Sequence, residues 1–420
     1  MLYRAGVLFP HGGATPAGNI NMLKNKRLKG VNLGGWLLME GYILGGRNIS
    51  ESEFKRNFSK IHGAVGLREF ERLFRDNFIR EVDFKNISEM GANVVRLPFN
   101  HRLIETRPFV YSEEGFSYLN QALDWARKYS LGVILDLHAA PGAQNCDWHS
   151  DSDGRARLWE NKEYQERTYL LWERIADRFK DKPALIGYDV LNEPVIAKEK
   201  IARLKNFYKN ALRRIKAVDK GHLIFLEGNL WATQIDFLDE LIEDNARLSI
   251  HAYEPLSYTF NFTPLQGFPG TINVEKWDKA RIHRYLKPYA DFARENKVRI
   301  LAGEFGINWR GGFWGELDWL GSILDFFEGA GFDYTYWTYK AMAGSVFPDG
   351  LYQYLPNNNY ILREGPVYGW ENYIKLWKTD KNKIVDFWRT GNFTPNQRLI
   401  SRLKRSFNAK NNRSADQPGC

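Results

Sequence analysis

The 420-residue sequence is poor in cysteine, with only Cys146 and Cys420. Two thiols cannot build a disulfide framework, so a disulfide-stapled secreted scaffold is excluded and reducing conditions are favoured, although one bridge to the last residue stays possible. No run of the chain approaches the ~18 apolar residues of a membrane span. The apolar run near the start is shorter than the ~7 residues that a signal peptide needs. We therefore expect a soluble protein without stable membrane insertion, cytoplasmic by default, with secretion left open.

Three catalytic signatures are also missing from the sequence. There is no His-Glu-x-x-His or comparable metal-ligand spacing, no Gly-x-Ser-x-Gly nucleophile elbow, and no glycine-rich phosphate loop after the first predicted strand. We accordingly expect neither a metal ion nor an organic cofactor.

A nucleic-acid footprint is missing too, although the formal net charge is +9. Acidic and basic residues alternate along most of the chain, and no nucleic-acid recognition motif accompanies the excess. The clearest bias lies near the end, where a basic group precedes the first acid, Asp416: Arg398, Arg402, Lys404, Arg405, Lys410 and Arg413. We predict no nucleic-acid partner and a basic C-terminal tail over 396–420 that is solvated or frayed.

Eight short apolar runs with polar last residues recur along the chain. Such β-branched runs, bounded by Gly and Pro, predict buried strands of a parallel sheet. They are GVNLGGW, NVVRLPF, GVILDLH, LIGYDVLNEP, HLIFLEGN, RLSIHAY, RILAGEFG and DYTYWTYK.

Amphipathic stretches of helical length separate most of these runs, with apolar residues at three- and four-residue spacing. Eightfold alternation of strand and helix predicts an α/β fold, a single-domain (β/α)₈ TIM barrel, over 23–395. A doubly wound open sheet is the competing architecture, but it usually has fewer units. Residues 1–22 read as a loose N-terminal arm, and 24–26 as the turn of a short hairpin.

The longest predicted loops follow the first, third, sixth and eighth strands, over 37–68, 139–160, 254–273 and 341–369. These loops are rich in Gly, Asn and aromatic residues, whereas the links that lead into strands are short. Active sites of TIM barrels lie at the carboxyl ends of the strands, which is where these loops begin.

Two of the predicted strands end in glutamates, Glu193 in Asn-Glu-Pro and Glu304 in Gly-Glu-Phe-Gly. Burying a carboxylate is costly unless it is hydrogen-bonded or functional. Other strands deliver further polar or aromatic groups to the same rim: Arg96, Asp136, His138, Asn192, His251, Tyr253, Trp337 and Lys340. Each alone has a structural explanation, but together they favour a catalytic site. Two carboxylates without a metal suit glycosidic cleavage, and the 14 tryptophans suit sugar rings, whose C–H faces stack on indoles.

The order of these motifs resembles glycoside hydrolase family 5. Asn-Glu-Pro, Gly-Glu-Phe-Gly and the sets RLP, DLH, H-x-Y and YWTYK run in register over roughly residues 28–345. Within the family, GVNLGGWLLME and HAAPGAQN resemble the branch of exo-β-1,3-glucanases and related β-glucosidases. The resemblance implies a retaining mechanism in which Glu193 is the general acid/base and Glu304 the nucleophile.

The resemblance also implies roles for the remaining rim residues. Arg96 and Tyr253 would hold Glu304, Asn192 would bind the sugar 2-hydroxyl, and Trp337 would form the floor of the first sugar subsite. His138 and His251 would bind hydroxyls or brace the acids. Because Glu304 is a like charge and the strand end is partly desolvated, we expect the pKa of Glu193 to be raised.

The loops depart from the family pattern after the first and third strands. Asn145 and Trp148, together with Glu254, are expected to wall the pocket, and Trp36, Trp309 and Trp314 are further candidate subsite aromatics. The predicted substrate is a β-glucan oligosaccharide or β-glucoside, attacked in the exo mode. The alternatives are an endo-acting cellulase or mannanase, a barrel that binds sugar without catalysis, and a glycolipid-cleaving enzyme that docks on anionic membrane through its basic tail.

Overall fold

A computed structural model describes residues 23–354 and 367–409 and confirms the predicted barrel. Eight parallel strands follow one another around it, each paired with the next in the chain, and the first closes on the last. They are β1 Lys29–Asn32, β2 Val94–Asn100, β3 Gly132–Ala139, β4 Leu185–Asp189, β5 Leu223–Glu227, β6 Ala246–His251, β7 Ile300–Glu304 and β8 Asp333–Tyr336. Nearly every strand residue is buried, as the continuous apolar runs predict.

Helices cover the outside of the barrel. They are α1 Glu51–Phe78, α2 Glu81–Glu89, α3 Glu113–Lys128, α4 Lys162–Phe179, α5 Ile201–Val218, α6 Lys279–Glu295, α7 Glu316–Ala330, α8 Trp370–Phe387 and α9 Gln397–Phe407. The side chains of Ser50, Ser112, Asn161 and Asp278 accept hydrogen bonds from backbone N–H groups in the first turns of four of them. Each helix buries an apolar stripe, so the core is one shell between strands and helices.

Helix α1 overturns part of the loop prediction after the first strand. Residues 51–68, predicted as loop, form the first part of this 28-residue helix, whose first half is interrupted at Gly63 (φ 71°, ψ 174°). The N-terminal part nevertheless buries Phe54 and Phe58. The helical signal is weak here because Gly63 and Gly66 break the pattern.

Short elements decorate the rim and the ends of the barrel. Residues Leu23–Asn25 form a 3₁₀ turn, so the predicted hairpin at 24–26 is wrong. Two small antiparallel pairs join Glu105–Arg107 to Val110–Tyr111 and Gly270–Ile272 to Glu275–Trp277. A three-stranded sheet contains Lys340–Met342, Tyr352–Tyr354 and Thr394–Pro395.

The C-terminal region also differs from its prediction. Residues 397–407 are not a solvated tail but helix α9, which buries Leu399, Leu403 and Phe407. Two of its basic side chains have partners: the Arg398 guanidinium lies over the Trp309 ring, and Arg402 pairs with Asp325.

Several predictions concern positions outside the described residues, namely the 1–22 arm, Lys410, Arg413, Asp416 and Cys420. Cys146 is an exposed free thiol. No helix within residues 23–354 and 367–409 combines the length and apolarity that crossing a membrane requires.

Candidate active site

The two glutamates meet at the carboxyl end of the barrel. Glu304 is the last residue of β7, and Glu193 lies four residues beyond β4 in a left-handed conformation (φ 46°). The Glu193 backbone N–H donates to Glu227 Oε2 at 2.6 Å, which holds this turn to the next strand. One carboxylate oxygen of Glu193 and one of Glu304 lie within 4.8 Å of each other. The carboxylates therefore face a common gap.

Arg96 connects Glu304 to the floor of the barrel. Its Nη1 donates to Glu304 Oε1 at 2.8 Å, and its Nη2 donates to Asn192 Oδ1 at 2.8 Å. The guanidinium is fully buried and also pairs with three other carboxylates, those of Asp136, Asp189 and Glu227. Burial alone would lower the pKa of Arg96, but these carboxylates raise it well above its ordinary value. Arg96 is thus a permanent positive charge beneath the nucleophile candidate.

The acids that surround Arg96 have pKa values shifted in opposite directions. Burial and the neighbouring Glu227 raise the pKa of Asp189 well above its ordinary value against the attraction of Arg96. Glu227 behaves oppositely, because His251 and Arg96 outweigh its burial and lower its pKa. Each shift reflects the balance between burial and the charges nearby.

Tyr253 holds the second oxygen of Glu304. Its hydroxyl donates to Oε2 at 2.8 Å, opposite the contact from Arg96. Burial and then the charge of Glu304 raise the pKa of Tyr253 well above its ordinary value, so the phenol remains a donor. Together Arg96 and Tyr253 fix the plane of the Glu304 carboxylate.

Glu193 is bracketed by two histidines, and this corrects the prediction of a raised pKa. His251 Nδ1 lies 2.6 Å from Oε1, and His149 Nε2 lies 3.0 Å from Oε2. Burial pushes the pKa of Glu193 upward, but the two imidazoles outweigh it and hold the pKa well below its ordinary value. The prediction considered Glu304 and desolvation only, whereas the proton stays on the histidines.

The histidine protons are correspondingly stabilised. Burial lowers the pKa of His149, but its hydrogen bond to Glu193 prevails and raises the pKa to about 9. His251 also lies 3.2 Å from Glu227 Oε1 through its Nε2, and Glu227, Glu304 and Glu193 raise its pKa well above the ordinary value against the effect of burial. The site therefore stores protons beside Glu193 at neutral pH.

Above the two glutamates lies a cavity of about 620 Å³, within the size range of small-molecule sites. Six predicted site or wall residues other than Glu193 and Glu304, and two rim residues not predicted, line it: His138, Trp148, His251, Tyr253, Glu254, Trp337, Tyr42 and His149. The rings of His138 and Trp337 stack at 5.5 Å with an interplanar angle of 12°, and His138 Nδ1 lies 2.7 Å from Asp136. The indole of Trp337 is thus braced from the barrel interior.

Three predicted site residues lie behind the cavity wall. Arg96 and Asn192 are fully buried under the carboxylates, and Asn145 is fully buried behind Glu193. Asn145 Nδ2 donates to the Glu193 carbonyl at 2.9 Å and lies 3.0 Å from His149 Nε2. Asn145 braces the loop rather than forming the wall, while Glu254 does line the cavity.

Four residues named from the sequence lie away from the site. Trp36 is buried against Trp125 at 6.2 Å, and neither it nor Trp309 nor Trp314 lines the cavity. Lys340 is fully buried and donates to the Trp388 carbonyl at 2.9 Å. It therefore anchors the three-stranded sheet that contains Lys340–Met342 instead of reaching the rim.

Sequence reasoning missed His149, Glu227, Glu40 and Tyr42. Glu227 is the last residue of β5, as Glu304 is of β7, so its position at a strand end could have identified it as a site residue. His149 and Tyr42 come from loops without periodicity, and only the fold brings them near Glu193. Burial raises the pKa of Glu40 to about 7, and its Oε1 has no hydrogen-bond partner within the described part of the chain.

One group of side chains has metal-binding geometry: the ligand atoms of Glu193, His251 and Glu304 all lie within 4.8 Å of one another. The same atoms already contact Arg96, Tyr253 and the imidazole of His149. A cation at this point would replace these contacts and meet the fixed charge of Arg96. The donor set therefore fits protonated side chains better than a metal ion.

Comparison with known proteins decides the family. The model of Cellulase (glycosyl hydrolase family 5) matches residues 57–343, more than half of the chain. The chain belongs to glycosyl hydrolase family 5. It is 34% identical over 284 residues to a beta-xylosidase of Phanerodontia chrysosporium, which covers 66% of the chain and 58% of that protein. The chain thus spans little more than half of this relative's length.

Two further comparisons are with enzymes of other names. A glucan 1,3-beta-glucosidase of Blumeria graminis is 29% identical over 250 residues, covering 56% of the chain and 57% of that protein. The crystal structure of endoglucanase Cel5A from Thermotoga maritima covers 92% of the chain and 99% of its own, with a TM-score of 0.59 and 19% identity. This last likeness shows the shared barrel fold.

Proposed function

We propose that this family 5 protein is a retaining β-glycosidase that hydrolyses β-glucosides or β-glucans and acts in the exo mode, releasing sugar from chain ends. The observation that carries the proposal is the distance of at most 4.8 Å between oxygens of Glu193 and Glu304. Retaining enzymes hold their carboxyl groups ≈ 5–5.5 Å apart, whereas inverting enzymes leave ≈ 6.5–9.5 Å for a water molecule.

Glu304 is the proposed nucleophile. Arg96 and Tyr253 donate to its two oxygens at 2.8 Å each, which keeps it ionised and orients it toward the gap. Attack on the anomeric carbon forms a glycosyl ester, and the bond to the aglycone oxygen breaks. Water then cleaves the ester and retains the configuration.

Glu193 is the proposed acid/base, supplied with protons by its histidine neighbours. As the leaving oxygen gains charge, it takes a proton that ionised Glu193 relays from His149 or His251 at 3.0 and 2.6 Å. In the second step Glu193, ionised again, accepts a proton from the attacking water and returns it to the histidine. The low pKa of Glu193 means that the carboxylate is ionised when this water arrives.

The nucleophile assignment is tested with Glu304→Ala. The variant should lose at least about 10⁴-fold in kcat on an aryl β-glucoside, because no covalent intermediate can form. Azide or formate should restore part of the turnover and give a product of inverted configuration, read by NMR. Turnover that persists in the variant without added anion would contradict the assignment.

The exo mode and the sugar preference are tested with β-1,3-, β-1,4- and β-1,6-linked oligosaccharides and with aryl β-glucosides and β-xylosides. Exo action should release one monosaccharide per event, while mid-length products at early times would show endo action. Binding of oligosaccharides without any turnover of the panel would instead support a sugar-binding barrel.

A further inference from the structure

The cavity above the glutamates has two unlike halves. The loops after β8, β1 and β3 carry Trp337, Tyr42 and His149, which suit a sugar ring and its hydroxyls. The loops after β5 and β6 lie between Glu193 and Glu304 on the other side of the rim. This second half is mainly hydrocarbon: Leu230, Trp231, Leu256, Phe260 and Phe262. We call these five residues the apolar lip.

The apolar lip is continuous with the reacting centre. The ring of Phe260 lies 4.9 Å from that of Tyr253, whose hydroxyl holds Glu304. Phe260 and Phe262 lie 5.4 Å apart, and both contact Phe347 from the loop after β8, at 5.5 and 5.6 Å. A ligand that leaves the sugar pocket on this side meets aromatic carbon at once.

The lip is also exposed to an unusual degree. Leu230, Trp231, Leu256 and Phe262 are 42, 45, 39 and 50% accessible. Single exposed apolar residues need no explanation, but these four line one cavity, and exposed apolar side chains grouped around a cavity mark a binding surface. The Trp231 indole Nε1 donates to Asp147 Oδ2 at 2.8 Å, so its polar edge is satisfied.

Backbone conformation provides an independent sign. Leu230, Trp231 and Phe347 have φ angles of 52°, 56° and 68°, in the left-handed region that side chains with a Cβ avoid. Such conformations cost free energy and concentrate at ligand-binding segments. Here they belong to three apolar residues that line the same cavity.

Charge narrows the chemistry of the ligand. Within the described part of the chain, no lysine or arginine lines the cavity, whereas Asp147 and Glu254 do. The two cationic groups among the lining residues, His149 and His251, are already paired with Glu193, so a phosphate or carboxylate on the leaving group would find no free positive partner there. Among the five lip side chains only the Trp231 indole has a polar group, and its N–H already donates to Asp147, so the lip has no free partner for the hydroxyls of a second sugar.

We infer that the aglycone of the natural substrate is a neutral hydrocarbon alcohol, such as a long-chain alkyl alcohol, seated on the apolar lip. The inference rests on the proposed function and specifies its leaving group. Glu304 attacks C1, the C1–O bond breaks, and the alcohol oxygen takes a proton that Glu193 relays from His149 or His251. Water then cleaves the glycosyl ester, and its proton returns through Glu193 to the histidine.

The test compares butyl and octyl β-glucosides below their micelle concentrations. Both release primary alcohols of equal acidity, so a rate difference reports contact with the added methylenes alone. A fully buried methylene is worth about fourfold, so four methylenes on a half-exposed lip should raise kcat/KM at least about tenfold. In Phe262→Ser and Leu256→Ser this octyl-to-butyl ratio should fall by about threefold or more.

Two matched controls carry the same substitutions away from the cavity. Phe313 and Leu265 are 86 and 79% exposed and do not line it, so Phe313→Ser and Leu265→Ser should keep the wild-type ratio. A wild-type ratio near one, or a lip variant that behaves like its control, would overturn the inference.

A binding measurement separates this inference from the proposed function. Butyl and octyl β-thioglucosides resist hydrolysis, and calorimetry should give an octyl Kd about tenfold lower, with a more negative heat-capacity change. If this ratio holds while no glycoside is turned over, the proposed function fails and the lip assignment stands. Turnover with equal Kd values for both ligands would reject the lip assignment alone.

Discussion

Glu193 is held at four points, and this determines its chemistry. Its backbone is fixed by Glu227 and Asn145, and its two carboxylate oxygens by His251 and His149. Positive neighbours favour its ionised form, so the working proton is shared among three side chains. The acid function therefore depends on the protons held by His149 and His251.

His149→Asn tests this dependence. His149, with a pKa of about 9, is protonated below that pH and loses its proton as the pH rises through it. Wild-type kcat/KM on an alkyl glucoside should thus fall near pH 9. Without this proton source, the alkaline limb of the variant should lie at lower pH. A nitrophenyl glucoside, which needs little acid assistance, is the internal control, and an unmoved limb on the alkyl substrate would disprove the shared proton.

Tyr253→Phe tests the hold on the nucleophile. A hydrogen bond to a charged group is worth ≈ 1.5–3 kcal/mol, so its loss should lower kcat/KM roughly 10- to 100-fold. Tyr188 offers a matched control, because its hydroxyl donates to the buried Asp219 at 2.6 Å away from the cavity. Tyr188→Phe should reduce stability but leave kcat/KM close to wild type. Equal kinetic losses in both variants would show that Tyr253 acts through folding alone.

At the scale of elements, the strands were predictable and the loops were not. Each strand is a local apolar run, and its last residue reaches the rim because parallel strands share one carboxyl end. Glu304, Arg96 and Tyr253 could be placed together on that basis. His149 reaches Glu193 through a loop whose path depends on Asn145 and on the next strand, and no periodicity encodes such contacts. Because the contact between His149 and Glu193 could not be predicted, the predicted direction of the Glu193 pKa shift was wrong.

Helix α1 supplies a second example, because Gly63 interrupts it with a conformation that is nearly restricted to glycine (φ 71°, ψ 174°). A Cβ at this position would have no neighbour within 4 Å. Gly63→Ala should therefore lower the free energy of unfolding by about 1–3 kcal/mol through backbone strain alone, measured by urea denaturation.

Gly329 in α7 is the matched control for this substitution. It also has no atom within 4 Å of a built Cβ, but its φ is not positive. Gly329→Ala should stabilise the protein by roughly 0.4–1 kcal/mol, since alanine favours the helix and restricts the unfolded chain. If both substitutions stabilise, the break at Gly63 is not imposed by the fold.

At the scale of the whole molecule, helix α9 closes the outside of the barrel. Its apolar residues Leu399, Leu403 and Phe407 recur every four residues, a pattern that was present in the sequence but was outweighed by the count of basic residues. The helix packs on α7. It also contacts β1, near the other end of the chain, because Lys29 Nζ donates to the Ser406 carbonyl at 3.0 Å. The chain thus adds a further helix to the outside of the closed barrel after its eighth strand.

Leu403→Ala measures what this closure contributes. Removing a fully buried leucine side chain should cost about 2–5 kcal/mol of unfolding free energy. Arg405 on the same helix is exposed, and Arg405→Ala should stay within about 0.5 kcal/mol of wild type. A Leu403→Ala variant as stable as Arg405→Ala would mean that the helix is dispensable.

The short 3₁₀ turn Trp148–Ser150 links two properties that engineers usually treat as separate. Trp148 lines the cavity, and His149 supplies protons to Glu193. Asp151, the residue that follows the turn, accepts hydrogen bonds from the backbone N–H and the hydroxyl of Ser52 at 2.7 and 2.6 Å. The hydrogen bonds between Ser52, at the start of α1, and Asp151 therefore hold the turn that carries Trp148 and His149. A substitution at position 148 acts on a ring that contacts the His149 imidazole at 5.4 Å, so libraries for selectivity should vary 52, 148, 149 and 151 jointly and be screened at more than one pH.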